Sequence, residues 1–156
     1  MRSARALGAL GLFLAASFGA AAVGSLWMPG AWYASLAKPS WTPPPFLFGP
    51  VWTALYAMMG TAAWLVWRER GFRDGAKPLG FFFAQLVLNA AWTALFFGLR
   101  NPGAAFAEIL VLWAMIAATA SLFYRVRALA GVLLFPYLAW VGFASALNFA
   151  IWRLNA

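Results

Sequence analysis

Five long apolar runs alternate with short polar breaks along this 156-residue chain, at about 7–28, 46–67, 79–99, 104–124 and 129–152. Each is close to the roughly 20 helical residues that cross a hydrocarbon core. The breaks carry helix-ending chemistry: "RERGFRDGAKP" (68–78) is polar with Gly and Pro, "RNPG" (100–103) reads as a tight turn, and "RVRA" (125–128) is short and basic. None of these three connections can hold a folded domain, so consecutive helices must be antiparallel neighbours. The pattern predicts an all-α integral membrane protein, one domain over 1–156, built as a compact bundle of five transmembrane helices with its one long connection at 29–45. In the first run, Arg2 and Arg5 followed by "AASFGAAA" have the look of a secretory signal. The run continues through "VGSLWM", which makes it long enough to span and favours a retained helix.

Composition narrows the class further. The chain is 65% hydrophobic and only 9% charged, against about 25% charged in soluble domains, too few to cover a water-facing surface. The net charge of +8 comes from residues in the connections. It therefore reads as topology and lipid contact, with no nucleic acid implied. Arg2, Arg5, Arg68, Arg70, Arg73, Lys77, Arg125 and Arg127 fall on one side of a five-span protein, and Lys38, Arg100 and Arg153 on the other. That bias puts the N-terminus in the cytoplasm and the 29–45 loop outside. The expected location is a bacterial membrane, crossed several times. Cysteine and histidine are both absent, which removes disulfides, thiolate catalysis, the commonest general base and the commonest metal and haem ligands. Nothing in the sequence requires a cofactor.

The connection "KPSWTPPPFLFGPVW" (38–52) holds five prolines, two tryptophans and a lysine. Proline fixes φ and removes a donor, so Pro43, Pro44 and Pro45 cannot continue a helix. A stiff aromatic segment of this kind is either a lid that packs over something or an anchor at the membrane surface.

Polar residues inside the spans are the remaining exceptions. Gln85, Asn89 and Trp92 share one face of the third helix, and an amide in hydrocarbon needs a partner, so that face should look inward. Interhelical bonding is the reading for Gln85; for Asn89, bonding and ligand contact stand side by side. In the fifth run Tyr137, Trp140, Ala144 and Asn148 form a second stripe, where Pro136 can kink the helix and Ala144 leaves room beside Trp140. Trp52 and Tyr56 are one turn apart in the second run. These polar-edged aromatics on separate helices can line one cavity, although each alone also suits core or interface. Glu108, the acidic residue well inside a span, is read as structural, reaching the interface or pairing with Arg100. A sterol-type pattern at "LFYRVR" (122–127) and a near miss at "LNFAIWR" (147–153), with Phe149 in the tyrosine position, are weak signals.

Three stretches together, "WYASLAKPSWTPPPFLFGPVWTALYAMMGTAAW", "AQLVLNAAWTALFFG" and "LLFPYLAWVGFASALNFAIWRLN", resemble the tryptophan-rich sensory protein family, TspO/MBR, which includes the mitochondrial translocator protein. The resemblance covers nearly the whole chain. It implies a five-helix bundle, usually a homodimer, that binds porphyrins, sterols and synthetic aromatic ligands in a pocket closed by the first loop. By position, the implied pocket residues are Trp52, Asn89, Trp140, Ala144 and Leu147, with Trp32, Tyr33 and Trp41 contributed by the loop; Tyr56 joins them from the aromatic pairing above. Phe149 departs from the sterol motif of the animal members, which favours tetrapyrroles over cholesterol. The implied partners are thus a porphyrin or other lipophilic ligand, membrane lipid and a second copy. Sensor, transporter and light-dependent porphyrin breakdown are the function classes this leaves, and the last needs no conventional acid–base pair.

Overall fold

The computed structural model describes residues 2–156. The chain runs α1 (Arg2–Gly24), α2 (Ala31–Ser35), a single 3₁₀ turn (Pro45–Leu47), α3 (Phe48–Asp74), α4 (Ala76–Thr93), a π-helical turn (Ala94–Gly98), α5 (Pro102–Val126), α6 (Ala128–Val132) and α7 (Phe135–Leu154). Joined to their adjoining turns, five of these are long and apolar enough to cross a membrane, and no strand occurs among the described residues. The protein is an all-α bundle of five membrane-spanning helices.

The boundaries differ from the hydropathy pattern in instructive places. Residues 68–78 are mostly helical, because Arg and Glu are good helix formers and nothing in the sequence before Gly71 interrupts the ladder. Gly71 takes φ 70°, a left-handed conformation that favours glycine, and bends the end of α3. Only Gly75 separates α3 from α4. The first helix stops at Gly24, short of Met28. At 100–103 the expected turn is present: Asn101 caps α5 by accepting from the Ala104 N–H at 3.0 Å, and Pro102 occupies the first turn.

The fifth span is two helices. Pro136 lies in the first turn of α7, and the chain turns at Leu133 and Leu134 between α6 and α7. The break has an architectural result. α6 packs directly on α3, whereas contacts between α3 and α7 are made by large rings: Phe48 meets Trp140 at 5.8 Å and Trp52 meets Tyr137 at 6.3 Å. A gap therefore opens between α3 and α7 toward the loop.

At the opposite end the bundle is closed. Phe13, Met59, Phe82 and Phe123 have no exposed surface. Gly60 permits this closeness, since a Cβ there would stand 3.0 Å from the Leu14 Cα. Trp64 is also structural: its indole N–H donates to the Ala6 carbonyl of α1 at 2.7 Å, and Arg68 lies over its ring. The Arg127–Glu69 ion pair, 3.6 Å apart and exposed, contributes little on general grounds.

Candidate functional site

The gap between α3 and α7 is a cavity of about 890 Å³, near the top of the roughly 300–1,000 Å³ usual for small-molecule sites. Its roof is the 29–45 segment, with Tyr33, Lys38 and Pro43 to Pro45 on the inner surface. Trp52 and Tyr56 of α3 form one wall, Trp140, Ala144 and Leu147 of α7 the facing one, and Asn89 and Trp92 of α4 the back. α5 adds Ile109 and Leu112. The lining is aliphatic and aromatic with few polar groups.

Of the nine residues singled out from the sequence, Tyr33, Trp52, Tyr56, Asn89, Trp140, Ala144 and Leu147 line this one cavity. Trp32 and Trp41 do not. Trp32 packs edge-on against Phe96 at 5.8 Å and lines a separate small pocket with Phe97 and Arg100. Trp41 is half exposed and rests edge-on against Phe143 at 5.7 Å. Both brace the roof from outside the cavity.

The buried amides are largely committed to holding helices together. Tyr56 donates its hydroxyl to Asn89 Oδ1 (2.6 Å), Asn89 Nδ2 donates to the Tyr137 oxygen (2.8 Å), and Tyr137 donates to Gln85 Oε1 (2.7 Å). One polar chain thus ties α3, α4 and α7 at the cavity floor, as buried polar groups require. Asn89 keeps one N–H and one lone pair beyond these bonds, so bonding and ligand contact are compatible at this residue. Asn148 behaves likewise, accepting from the Trp92 indole (2.9 Å) and donating to the Pro102 carbonyl (2.9 Å).

Lys38 carries the positive charge of the roof. Its Nζ donates to the Tyr33 and Leu36 carbonyls, at 2.6 and 3.2 Å, and stands 4.5 Å from the Tyr33 ring centroid. Two of three ammonium hydrogens are thereby used, leaving one for an anionic group. Burial pushes the Tyr33 phenol above its ordinary range, so it stays neutral near neutral pH.

Glu108 corrects an expectation. Both carboxylate oxygens are buried without a hydrogen-bond partner, and it does not pair with Arg100. It is also absent from the cavity wall. Glu108 lies nearly two turns past the start of α5 at Pro102, where the packed helices enclose both oxygens.

Sequence reasoning missed the contribution of "TALFF". Thr93, Phe96 and Phe97 all line the cavity, at the i, i+3, i+4 spacing of one helix face, and a π turn lies at the same place. The Leu99 N–H reaches the Ala94 carbonyl at 2.8 Å, an i→i+5 bond, and such single π turns concentrate at functional sites. Continuing the Gln85–Asn89 stripe by four and three residues would have found Thr93 and Phe96. No local sequence signal announces the π turn itself.

Fold and cavity together define a polytopic membrane protein with an aromatic-walled lipophilic cavity under a proline-stiffened roof. The chain belongs to the TspO/MBR family, whose model matches residues 8–153. It is 47% identical over 152 residues to the human translocator protein, covering 94% of this chain and 89% of that one. It is 47% identical over 125 residues to a tryptophan-rich protein TspO of Archaeoglobus fulgidus, with 80% of each chain covered. A tryptophan-rich sensory protein of Cereibacter sphaeroides is 42% identical over 143 residues, covering 92% of this chain and 89% of that one. Membership of this family is consistent with a membrane sensor or receptor.

Proposed function

We propose that this protein is a membrane receptor that encloses a tetrapyrrole of the protoporphyrin type, or a related lipophilic aromatic molecule, beneath the 29–45 lid. The observation that carries this reading is the cavity itself: about 890 Å³, walled by Trp52 and Trp140 on opposite helices and capped by Lys38. A porphyrin is a large apolar disc with anionic propionates. Flat rings suit the disc, and the uncommitted Lys38 hydrogen suits a propionate. Without histidine or cysteine in the chain, a metal-free porphyrin fits better than haem.

The name of the Cereibacter relative speaks for sensing and that of the human relative for translocation. The cavity lies wholly toward the loop end, while the other end is closed by Phe13, Phe82 and Phe123, which favours reception. The basic bias supports an N-terminus in the cytoplasm and a lid outside. The bacterial relatives support placing it in a bacterial membrane, though the human chain is as similar. A second copy and bulk lipid complete the proposed partners.

Protoporphyrin IX titrated into protein in lipid nanodiscs, followed by tryptophan quenching, tests the reading. Trp140→Ala should weaken binding by about 1–3 kcal/mol, taking aromatic–base stacking as the guide. Val87→Ala, on an exposed face of α4, should leave it unchanged. Equal losses in the two variants would mean there is no localised site. Light-independent porphyrin efflux from sealed vesicles would favour transport instead.

A further inference from the structure

The lid is held to the bundle by apolar packing and by one polar tether. Trp32, Tyr33 and Leu36 pack on the cluster around Phe96 and Leu147, and Trp41 on Phe143. Lys38 and Thr42 bond only within the lid. The tether is Asn155, beyond the last turn of α7. Its Oδ1 accepts from the Ala37 N–H at 2.9 Å and its Nδ2 donates to the Ala37 carbonyl at 2.9 Å. Among the described residues, no other side chain outside 29–45 hydrogen-bonds this segment.

The pairing is specific in its chemistry. One residue must offer an acceptor and a donor side by side, which a carboxamide does and an alkyl group of the same shape does not. Asn155 is itself fixed: its Nδ2 also donates to the Ile151 carbonyl at 2.8 Å, and its backbone N–H returns to the same carbonyl at 3.2 Å. Ile151 lines the cavity. The lid is therefore clasped by the helix end that also forms the cavity wall. Lys38, the next residue along, gathers the Tyr33 and Leu36 carbonyls, so the backbone on both sides of Ala37 is braced and the clasp acts on a rigid segment.

We propose that Asn155 is the latch of the lid, a positioning residue whose reciprocal amide pair with Ala37 sets how long a bound ligand is retained. This rests on the reading of 29–45 as a lid over a ligand cavity. Both bonds are exposed at the surface, where they exchange with water, so the latch opens more readily than a buried pair would. Opening removes the polar tether while the helices stay packed. The latch therefore governs departure more than arrival, as most differences among related complexes do.

The experiment compares wild type, Asn155→Leu and the triple variant Pro43→Gly, Pro44→Gly, Pro45→Gly in nanodiscs. Amide hydrogen exchange is measured at Ala37 and through 147–155 without ligand, and protoporphyrin IX release by stopped flow. Asn155→Leu should speed exchange at Ala37, leave 147–151 protected and shorten ligand residence roughly fivefold, the low end for two exposed hydrogen bonds. Unchanged exchange at Ala37 overturns the latch, and so does faster exchange that spreads equally through 147–151, which would be fraying of α7. If exchange at Ala37 rises but release does not, the latch is overturned as a timer. The proline variant then separates the two ideas: faster release from it keeps the lid, whereas unchanged release from both removes the lid as well. If porphyrin does not bind wild type at all, the receptor reading falls, and Ala37 exchange still decides whether Asn155 holds the loop.

Discussion

The two ends of the bundle are made of similar residues and packed on different terms. Toward the basic end, Phe13 meets Phe82 at 6.3 Å, Phe82 stacks on Phe123 at 6.1 Å, and all three are wholly buried. Toward the loop, rings just as large also pair, Trp92 with Phe96 at 5.1 Å and Phe48 with Trp140 at 5.8 Å, but these pairs line about 890 Å³ of space. Hydrophobicity does not separate these regions; backbone devices do. Gly60 lets α1 and α3 close at one end. At the other, the π turn at Ala94–Gly98 and three consecutive prolines interrupt regular helix beside the cavity. There α7 diverges from α3 beyond a turn that itself lies in the closed half, where Leu134 joins the core. Stability is thus concentrated where large side chains fill the space between helices, and binding capacity where they only line it.

The largest expected effect tests that division directly. Phe82→Ala empties a fully buried site in the closed end and should destabilise by about 3–5 kcal/mol, read as a lower melting temperature in detergent. The porphyrin affinity of the folded fraction should hardly move. Trp140→Ala should do the reverse, weakening affinity with little change in melting. If Phe82→Ala lowered affinity as much as Trp140→Ala does, the ends would be energetically continuous and the comparison would fail.

How much of this was legible in the sequence follows the same division. Helix number and the inward faces were readable because they rest on length and on 3.6-residue periodicity, which "QLVLNAAW" and "YLAWVGFASALN" display cleanly. The convergence of Trp52, Asn89 and Trp140 rested on family resemblance as well as spacing. Three things were not legible. The helix through "RERG" hid behind polarity, because hydropathy marks where the membrane ends and says nothing of where a helix ends. The π turn has no residue signature. The placement of Trp41 and Trp32 depended on which side of the roof each ring takes, and a loop has no periodicity to settle that.

An intermediate effect comes from the roof. Replacing Pro43, Pro44 and Pro45 with glycine restores backbone freedom that proline had removed, at about 0.4–1 kcal/mol per site where the native φ suits proline. Pro44 has φ −58°, within proline's own range. The summed cost, about 1–3 kcal/mol, should appear as faster ligand release with the helices intact, since these residues touch the cavity and not the closed core. A fall in melting temperature with an unchanged off-rate would make the segment an interfacial anchor, and the loop end would then owe its openness to the divergence of α7 and the π turn.

The smallest effect sharpens where the boundary runs. Tyr137 has no exposed surface, accepts from Asn89 and donates to Gln85, while Asn89 also lines the cavity. The polar chain therefore belongs to both ends by position. Tyr137→Phe keeps the ring and deletes two interhelical hydrogen bonds. In membranes such bonds average about 0.6 kcal/mol, less than in a comparable soluble core, because the separated helices find other partners. A loss of about 1 kcal/mol in stability is expected. Combined with Asn89→Leu in a double-mutant cycle, the two changes should couple in melting, since each removes the same Asn89–Tyr137 bond. They should not couple in porphyrin affinity if the chain serves to fasten α3, α4 and α7 below the ligand. Coupling in affinity without coupling in stability would assign the chain to the cavity, and the closed end would then begin one helical turn deeper, at Met59 and Phe82.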